Sequence, residues 1–190
     1  MSKLERAITE LRAGLPVLET PRLRLRALRV GDEREVFELY ADREAVRFGY
    51  APTMGSLADA RHVIDEASRL ASAGELFHFG VAERERDSIV GHATLFAVHV
   101  PSRRAELGYS IVRARWSQGL GAEAVGALVR WAFEHMDLRR LEADVDPRNE
   151  RSLRLLERLG FAREGYARQR WEVDGDLQDS VLLGLLREAS

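Results

Sequence analysis

The run Trp116-Ser117-Gln118-Gly119-Leu120-Gly121-Ala122-Glu123-Ala124 does most to limit what this chain can become. Before it, Leu107, Tyr109 and Ile111 alternate with Glu106, Gly108 and Ser110, the period-two pattern of a strand. After it, Gly119 to Met136 reads as a long helix, apolar around much of its circumference, as suits packing on a sheet. Two glycines at a strand-to-helix junction let the backbone curl close to an anion. The free amides of the first helical turn, aided by the helix dipole, can then hold phosphate. A tight turn alone would also account for the glycines. The spacing is not the G-x-G-x-x-G of a dinucleotide site, and no G-K-[ST] follows, which excludes a Walker loop.

The rest of the chain supplies the frame for this junction. Met1 to Leu15 is amphipathic, with Leu4, Ile8, Leu11 and Leu15 at helical spacing, and packs either on its own domain or on a second copy. Pro21 to Arg29 alternates arginine with Leu23, Leu25 and Ala27, as a half-buried strand does. Gly31-Asp32 opens a helix carrying Val36, Phe37, Leu39 and Tyr40, with Asp32 as its cap. Gly49 to Ser56 is a loop, and a second helix with Ala60, Val63, Ile64, Ala67 and Leu70 on one face ends at Gly74.

Three strands follow, around Phe77 to Val81, Ile89 to Val100 and Leu107 to Ile111, joined by short turns as in an antiparallel meander. Beyond the long helix come a strand at Leu141 to Val145 and a helix from Asn149 to Leu159. A final hairpin, Phe161 to Trp171 with Leu177 to Leu186, turns around Asp174-Gly175. The order βααβββαβαββ predicts a mixed α/β domain of α+β type over residues 17–190. Its largely antiparallel central sheet is flanked by helices, and residues 1–16 form an amphipathic helical extension.

Composition removes several functions. With no cysteine there is no disulfide, thiolate metal site or cysteinyl acyl intermediate. A net charge of -2 gives no global electrostatic case for nucleic acid. No apolar run approaches the ~20 residues that span a bilayer, and Met1 to Leu15 lacks the features of a signal peptide, so a cytoplasmic, non-membrane protein is expected. His62, His78, His92, His99 and His135 form no recognisable ligand spacing, so no metal is expected.

The glycine run resembles the pyrophosphate-binding loop of GNAT N-acetyltransferases, and its aromatic-led form, G-x-G-x-[AG]-x-E-A, is that of the RimJ/RimL branch. Trp116 stands where the general motif has Gln or Arg, and Ser117 replaces a common glycine, a mild change because the amide remains. Ala105-Glu106-Leu107-Gly108-Tyr109 resembles the branch's A-E-[IL]-G-Y strand. Asn149-Glu150-Arg151-Ser152, followed by Glu157-Arg158-Leu159-Gly160-Phe161, resembles its N-x-x-S…E-[KR]-x-G-F signature. Pro21 to Arg26 looks like its opening strand, so the likeness runs from about Leu18 to Leu186.

The resemblance implies acetyl-CoA as co-substrate and direct acetyl transfer to a primary amine. The implied acceptor is the α-amine of a protein N-terminus. A small amine such as an antibiotic or polyamine is the alternative, and a non-catalytic acyl-CoA sensor a further one. It implies a cofactor site at Ser117, Gln118, Gly119, Leu120, Gly121 and Ala122, with Asn149 and the backbone of Ser110, Ile111 and Val112 contacting the pantetheine arm on a splayed strand edge. An attacking amine must lose a proton. Glu106, on the face of Gly108 and Ser110, is the candidate base; a lone strand glutamate is otherwise a surface or salt-bridge residue. Asn149 also suits an N-cap. Ser152 either protonates the departing thiolate or hydrogen-bonds the sulfur, since the tyrosine many relatives use is Leu156 here. Arg168, Arg170 and Trp171 either line the acceptor mouth or serve as surface charge and core. Many relatives pair, so a homodimer is compatible with this chain.

Overall fold

The computed structural model describes residues 1–49, 53–173 and 175–187. A capping box opens the first helix, α1 (Lys3–Ala13): Ser2 and Glu5 satisfy each other's backbone amides. Its apolar face, Leu4, Ala7 and Leu11, is buried in the main core of the same chain. A two-residue strand, β1 (Leu18–Glu19), then pairs with β2 (Leu23–Ala27).

Helices α2 (Glu33–Ala41), α3 (Arg43–Val46) and α4 (Leu57–Ala73) follow, and Gly74 ends the last in the left-handed conformation. The meander is β3 (Leu76–Glu83), β4 (Ile89–His99) and β5 (Arg104–Ile111). Then come α5 (Leu120–His135), β6 (Arg140–Val145), α6 (Glu150–Arg158), β7 (Ala162–Val173) and β8 (Asp176–Leu186). The predicted order is present, preceded by α1 within the expected amphipathic extension, and with β1 and α3 in addition. Residues 50–52 of the predicted loop and Asp174 of the predicted hairpin turn lie outside the described residues; Gly175 takes φ 84°.

The strands form one eight-stranded sheet in the order β1-β2-β3-β4-β5-β6-β8-β7. Every neighbouring pair is antiparallel except β5 with β6. Period two gives this sheet two different faces. Phe77, Phe79, Val81, Ala93, Leu95, Leu107 and Ile111 join α5 in the main core, where Phe79 meets Trp131 edge-on at 5.9 Å. The opposite face carries Arg26, His78, His92, Thr94, Glu106 and Ser110. Part of it is covered by a smaller cluster, in which α2 and α4 pack through Val36, Leu39, Tyr40, Ala60 and Ile64.

One sequence expectation fails here. Asp32 does not cap α2. Its carboxylate is buried and holds Arg26 through two hydrogen bonds of 2.8 and 2.9 Å, and accepts the Arg29 amide at 2.9 Å. A buried guanidinium needs a bidentate partner more than a helix end needs a cap.

Candidate active site

Two cavities meet where β5 and β6 part. The strands pair only at Arg104↔Arg140, Ala105↔Leu141 and Glu106↔Glu142, although β5 runs on to Ile111 and β6 to Val145. Past Glu106 the backbone edge of β5 facing β6 is therefore unpaired. Val112 donates its amide to the Val90 carbonyl on the β4 side. Alternation then aims the polar groups of Leu107, Tyr109 and Ile111 at the gap. The Ile111 carbonyl accepts the Trp116 indole N–H at 2.6 Å, which fixes the start of the glycine run against the end of β5.

The larger cavity, about 670 Å³, is walled by this strand edge, the glycine run and α6. Ser110, Ile111, Ser117, Gly119, Leu120, Gly121, Ala122, Asn149 and Ser152 all line it. Val112 and Gln118 do not. The Val112 amide is spent on Val90, and Gln118 turns away, its side-chain amide on the Ala114 carbonyl at 3.2 Å.

Gly119 is the N-cap of α5 at φ 79° and offers no side chain to the first-turn amides. Ser117 takes φ 63°, so its replacement of glycine places an L-residue in the left-handed region and is not mild. Gly121 has a packing reason: a Cβ there would sit 3.1 Å from Leu155 Cδ1. Glu123 accepts from Thr20 Oγ1 at 2.6 Å and from the Arg22 amide at 2.9 Å, pinning the β1–β2 turn to the start of α5.

Arginines supply the charge of this cavity. Arg151, Arg154 and Arg158 stand one turn apart on α6, and Arg115 lines the same cavity. Arg154 is paired with Glu150 at 2.8 Å and Arg115 with Glu83 at 2.7 Å, which leaves Arg151 and Arg158 as the arginines without an ion pair among the described residues. Arg151 lies over the Trp116 ring at 4.2 Å. Their i, i+3, i+7 spacing was visible in the sequence and was missed. Backbone amides without a capping side chain, an open strand edge and a row of guanidinium groups fit an elongated anionic ligand with an amide-bearing arm, as acetyl-CoA is.

The smaller cavity, about 390 Å³, opens on the other side of the gap and shares Ala45, Tyr109, Ser110, Asn149 and Ser152 with the larger one. Glu106 lines this second cavity and not the first. Burial, then Asp144, then Glu142 raise its carboxyl above the ordinary value. The neighbouring acids are already matched: Asp144 with Arg170 at 3.1 Å, Asp146 with Arg148 at 2.5 Å, and Glu142 with Arg104 at 2.6 Å. Among the described residues the Glu106 carboxylate makes no hydrogen bond or ion pair, although Arg104 and Arg170 are near enough to act on it electrostatically.

Asn149 is the N-cap of α6, its Oδ1 accepting from the Ser152 amide at 3.1 Å. Ser152 Oγ lies 2.6 Å from the Tyr109 hydroxyl, a contact sequence reading did not find. Trp171 is half-buried in the cavity wall, not in the core, with its indole N–H on Asp144 Oδ2 at 3.3 Å. Arg170 pairs with that same carboxylate, and Arg168 is exposed. Among the described residues no group of three or more His, Cys, Asp or Glu is arranged to hold a metal, and no helix is long and apolar enough to cross a membrane.

A sheet that parts between two parallel strands, beside a glycine turn feeding a helix N-terminus, is the arrangement that the sequence resemblance implies for an acyl-CoA-dependent acyltransferase. The chain belongs to the GNAT acetyltransferases: residues 22–162 match the acetyltransferase (GNAT) domain family. It is 30% identical to the uncharacterized N-acetyltransferase p20 of Bacillus licheniformis, over 91% of this chain and 97% of that one. It is 33% identical to the [ribosomal protein uS5]-alanine N-acetyltransferase of Escherichia coli (strain K12), over 83% of this chain and 90% of that one. The solved structure of RimJ from Mycobacterium smegmatis, in complex with CoA-disulfide, matches with a TM-score of 0.79 over 86% of this chain and 81% of that one. At 23% identity that match speaks for the fold. The protein is an acetyl-CoA-dependent acetyltransferase.

Proposed function

We propose that the acceptor is the α-amine of a protein N-terminus, as in the RimJ/RimL branch, and that the smaller cavity receives it. The observation that carries this reading is Glu106, the one carboxylate of the cavity wall that makes no ion pair among the described residues. One uncompensated acid suits one amine. A polyamine or polycationic antibiotic needs further anionic positions, and here Asp144 and Asp146 are already taken by arginine. The likeness to the uS5-alanine enzyme points the same way.

In this reading acetyl-CoA supplies the thioester whose acyl group is transferred. The first-turn amides from Gly119 to Ala122 hold the pyrophosphate, helped by Arg151 and Arg158. The backbone of Tyr109 and Ile111 pairs with the pantetheine arm as an added strand would. The free side-chain N–H groups of Asn149 contact the same arm. Glu106 accepts the proton that the amine sheds as its nitrogen bonds to the acyl carbon, directly or through one water. An α-amine of pKa about 8 asks less of that base than a lysine of about 10.4. The Tyr109–Ser152 hydroxyl pair stands at the seam of the two cavities, where the carbon–sulfur bond breaks. It hydrogen-bonds the leaving sulfur, whose thiol resembles cysteine at about 8.5 and needs little acid help.

The test is thiol release from acetyl-CoA with peptides bearing a free N-terminal Ala or Ser, with mass analysis of the peptide. Spermidine and an aminoglycoside are run alongside. Release with N-terminally acetylated peptide is expected. Turnover on spermidine or the aminoglycoside but on neither peptide would sink the proposal.

A further inference from the structure

Two imidazoles line the smaller cavity and take no part in the chemistry above. His78 of β3 and His92 of β4 meet edge to face, with ring centroids 5.0 Å apart. Tyr40 of α2 braces His92: its hydroxyl is 2.8 Å from Nδ1, and the rings stack at 5.4 Å. The register sets His92 opposite Ser110, and His78 opposite Thr94, which is itself opposite Gly108. The imidazoles thus lie across the sheet from the stretch of β5 where the two cavities join.

His78 is only 8% exposed, and its Nε2 is buried with no hydrogen-bond partner among the described residues. Leaving such an atom unpaired forfeits the hydrogen bond it makes to water in the unfolded chain. Folded proteins rarely carry that cost without a ligand or water to meet the group. Thr94, opposite His78 in the register, does not relieve it: its hydroxyl donates to the Gly108 carbonyl at 3.2 Å and makes no bond to the imidazole. Burial lowers His78 to about 4 and holds His92 well below its ordinary value, so both rings are neutral at pH 7. A neutral imidazole offers one donor and one acceptor. A hydroxyl, which also donates and accepts, is its natural complement.

We propose that His78, held by His92 and Tyr40, forms a recognition subsite for a hydroxyl on the carbon next to the one bearing the acceptor amine, as in an N-terminal serine or threonine. The proposal rests on reading the smaller cavity as the acceptor's and adds which acceptor it selects. The amine has to reach the seam at Ser110, directly opposite His92. A hydroxyl one carbon–carbon bond away stays beside the imidazoles there, and an alanine methyl leaves His78 unsatisfied.

The experiment is kcat/KM for two peptides that differ only in Ser or Ala at the N-terminus. The wild type is expected to favour Ser by about tenfold, the worth of one hydrogen bond. His78→Phe should bring that ratio near one, with acetyl-CoA affinity held, and His78→Gln, which keeps a donor and an acceptor, should restore part of it. If His78→Phe melts early or fails to fold, Tyr40→Phe keeps the ring, frees His92 and should lower the ratio on its own. Equal wild-type rates, an Ala preference, or a Ser preference untouched in a folded variant would each overturn the subsite. Absence of transfer to either peptide would instead overturn the N-terminal reading. The subsite would then be judged on 2-aminoethanol against ethylamine, where equal rates would overturn it as well.

Discussion

The phenol oxygen of Tyr109 lies 2.6 Å from Ser152 Oγ, tying β5 to α6 at the seam of the two cavities. Burial pushes the Tyr109 hydroxyl up to about 12, so it stays protonated at neutral pH. Both hydroxyls are thus able to donate, and Tyr109 is the better acid. Tyr109→Phe is expected to lower kcat by up to about tenfold, the worth of one hydrogen bond to the sulfur, with acetyl-CoA affinity changed by less. Ser152→Ala should cost less than Tyr109→Phe. Steady-state kinetics of the two variants decide the order, and a larger loss in Ser152→Ala would make the serine the group at the sulfur.

Glu106 predicts a pH profile and a stability effect of opposite sense. As base it must be ionised, so kcat/KM rises with pH through a value above 4.5, raised by burial and by Asp144 and Glu142. Glu106→Gln should lower kcat/KM by about 10²- to 10⁴-fold and erase that limb. A carboxyl raised in the folded state binds protons better folded than unfolded. Its stabilising contribution is therefore present below the unfolded pKa and lost as pH rises through the folded one. Glu106→Gln should melt at or above the wild-type temperature at pH 7, and the gap should close on acidification. Thermal melts across pH check the sign.

Two positions of the glycine run should respond in contrary ways. Ser117 sits at φ 63°, where an L-residue costs about 1 kcal/mol relative to glycine. Ser117→Gly is expected to raise the melting temperature by about 2–4 °C for that gain. Gly121→Ala should weaken acetyl-CoA binding several-fold, because the new Cβ meets Leu155 Cδ1 at 3.1 Å and pushes α5 from α6. Adding Leu155→Val should recover part of the loss in a calorimetric titration. Gly121→Asp should fail on the same geometry: its side chain would start toward Leu155 and Ile111, so packing, and not repulsion of phosphate, is what is lost.

The Arg26–Asp32 pair should be costly to break. Both side chains are under 10% exposed, and Asp32→Ala leaves a buried guanidinium with the carboxylate and carbonyl of Asp87 and the Ala27 carbonyl in reach. A loss of about 3 kcal/mol is expected in denaturant unfolding, with the acetyl-CoA site intact. A change below about 1 kcal/mol would mean that Asp87 and the Ala27 carbonyl together satisfy Arg26.

Much of this was legible beforehand, because strand alternation and the apolar helix faces are local signals. Leu107, Tyr109 and Ile111 declare their period, and Gly119-Leu120-Gly121 declares its turn. What stayed hidden depends on residues far apart in the chain. Tyr109 shows in the sequence only as one of three alternating strand residues, and it is α6 that brings Ser152 beside it. Asp144 acquires its partners only when β7 returns with Arg170 and Trp171. Asp32 misled, since an aspartate before a helix caps it unless a buried arginine competes. His78 and His92 were weighed only as metal ligands; nothing in their sequence spacing shows that β3 and β4 set them side by side beneath Tyr40.

The short pairing of β5 with β6 has a mechanical side. The ladder between β5 and β6 runs only from Arg104 to Glu106, with one more backbone bond, from the Arg139 amide to the Arg103 carbonyl, at its closed end, while the main core packs against both halves of the sheet. The gap therefore works as a notch whose opening angle is set at its closed end. A molecule lodged in it would act as a cross-link between segments some 40 residues apart in sequence, stiffening the whole chain far more than the area it covers would imply.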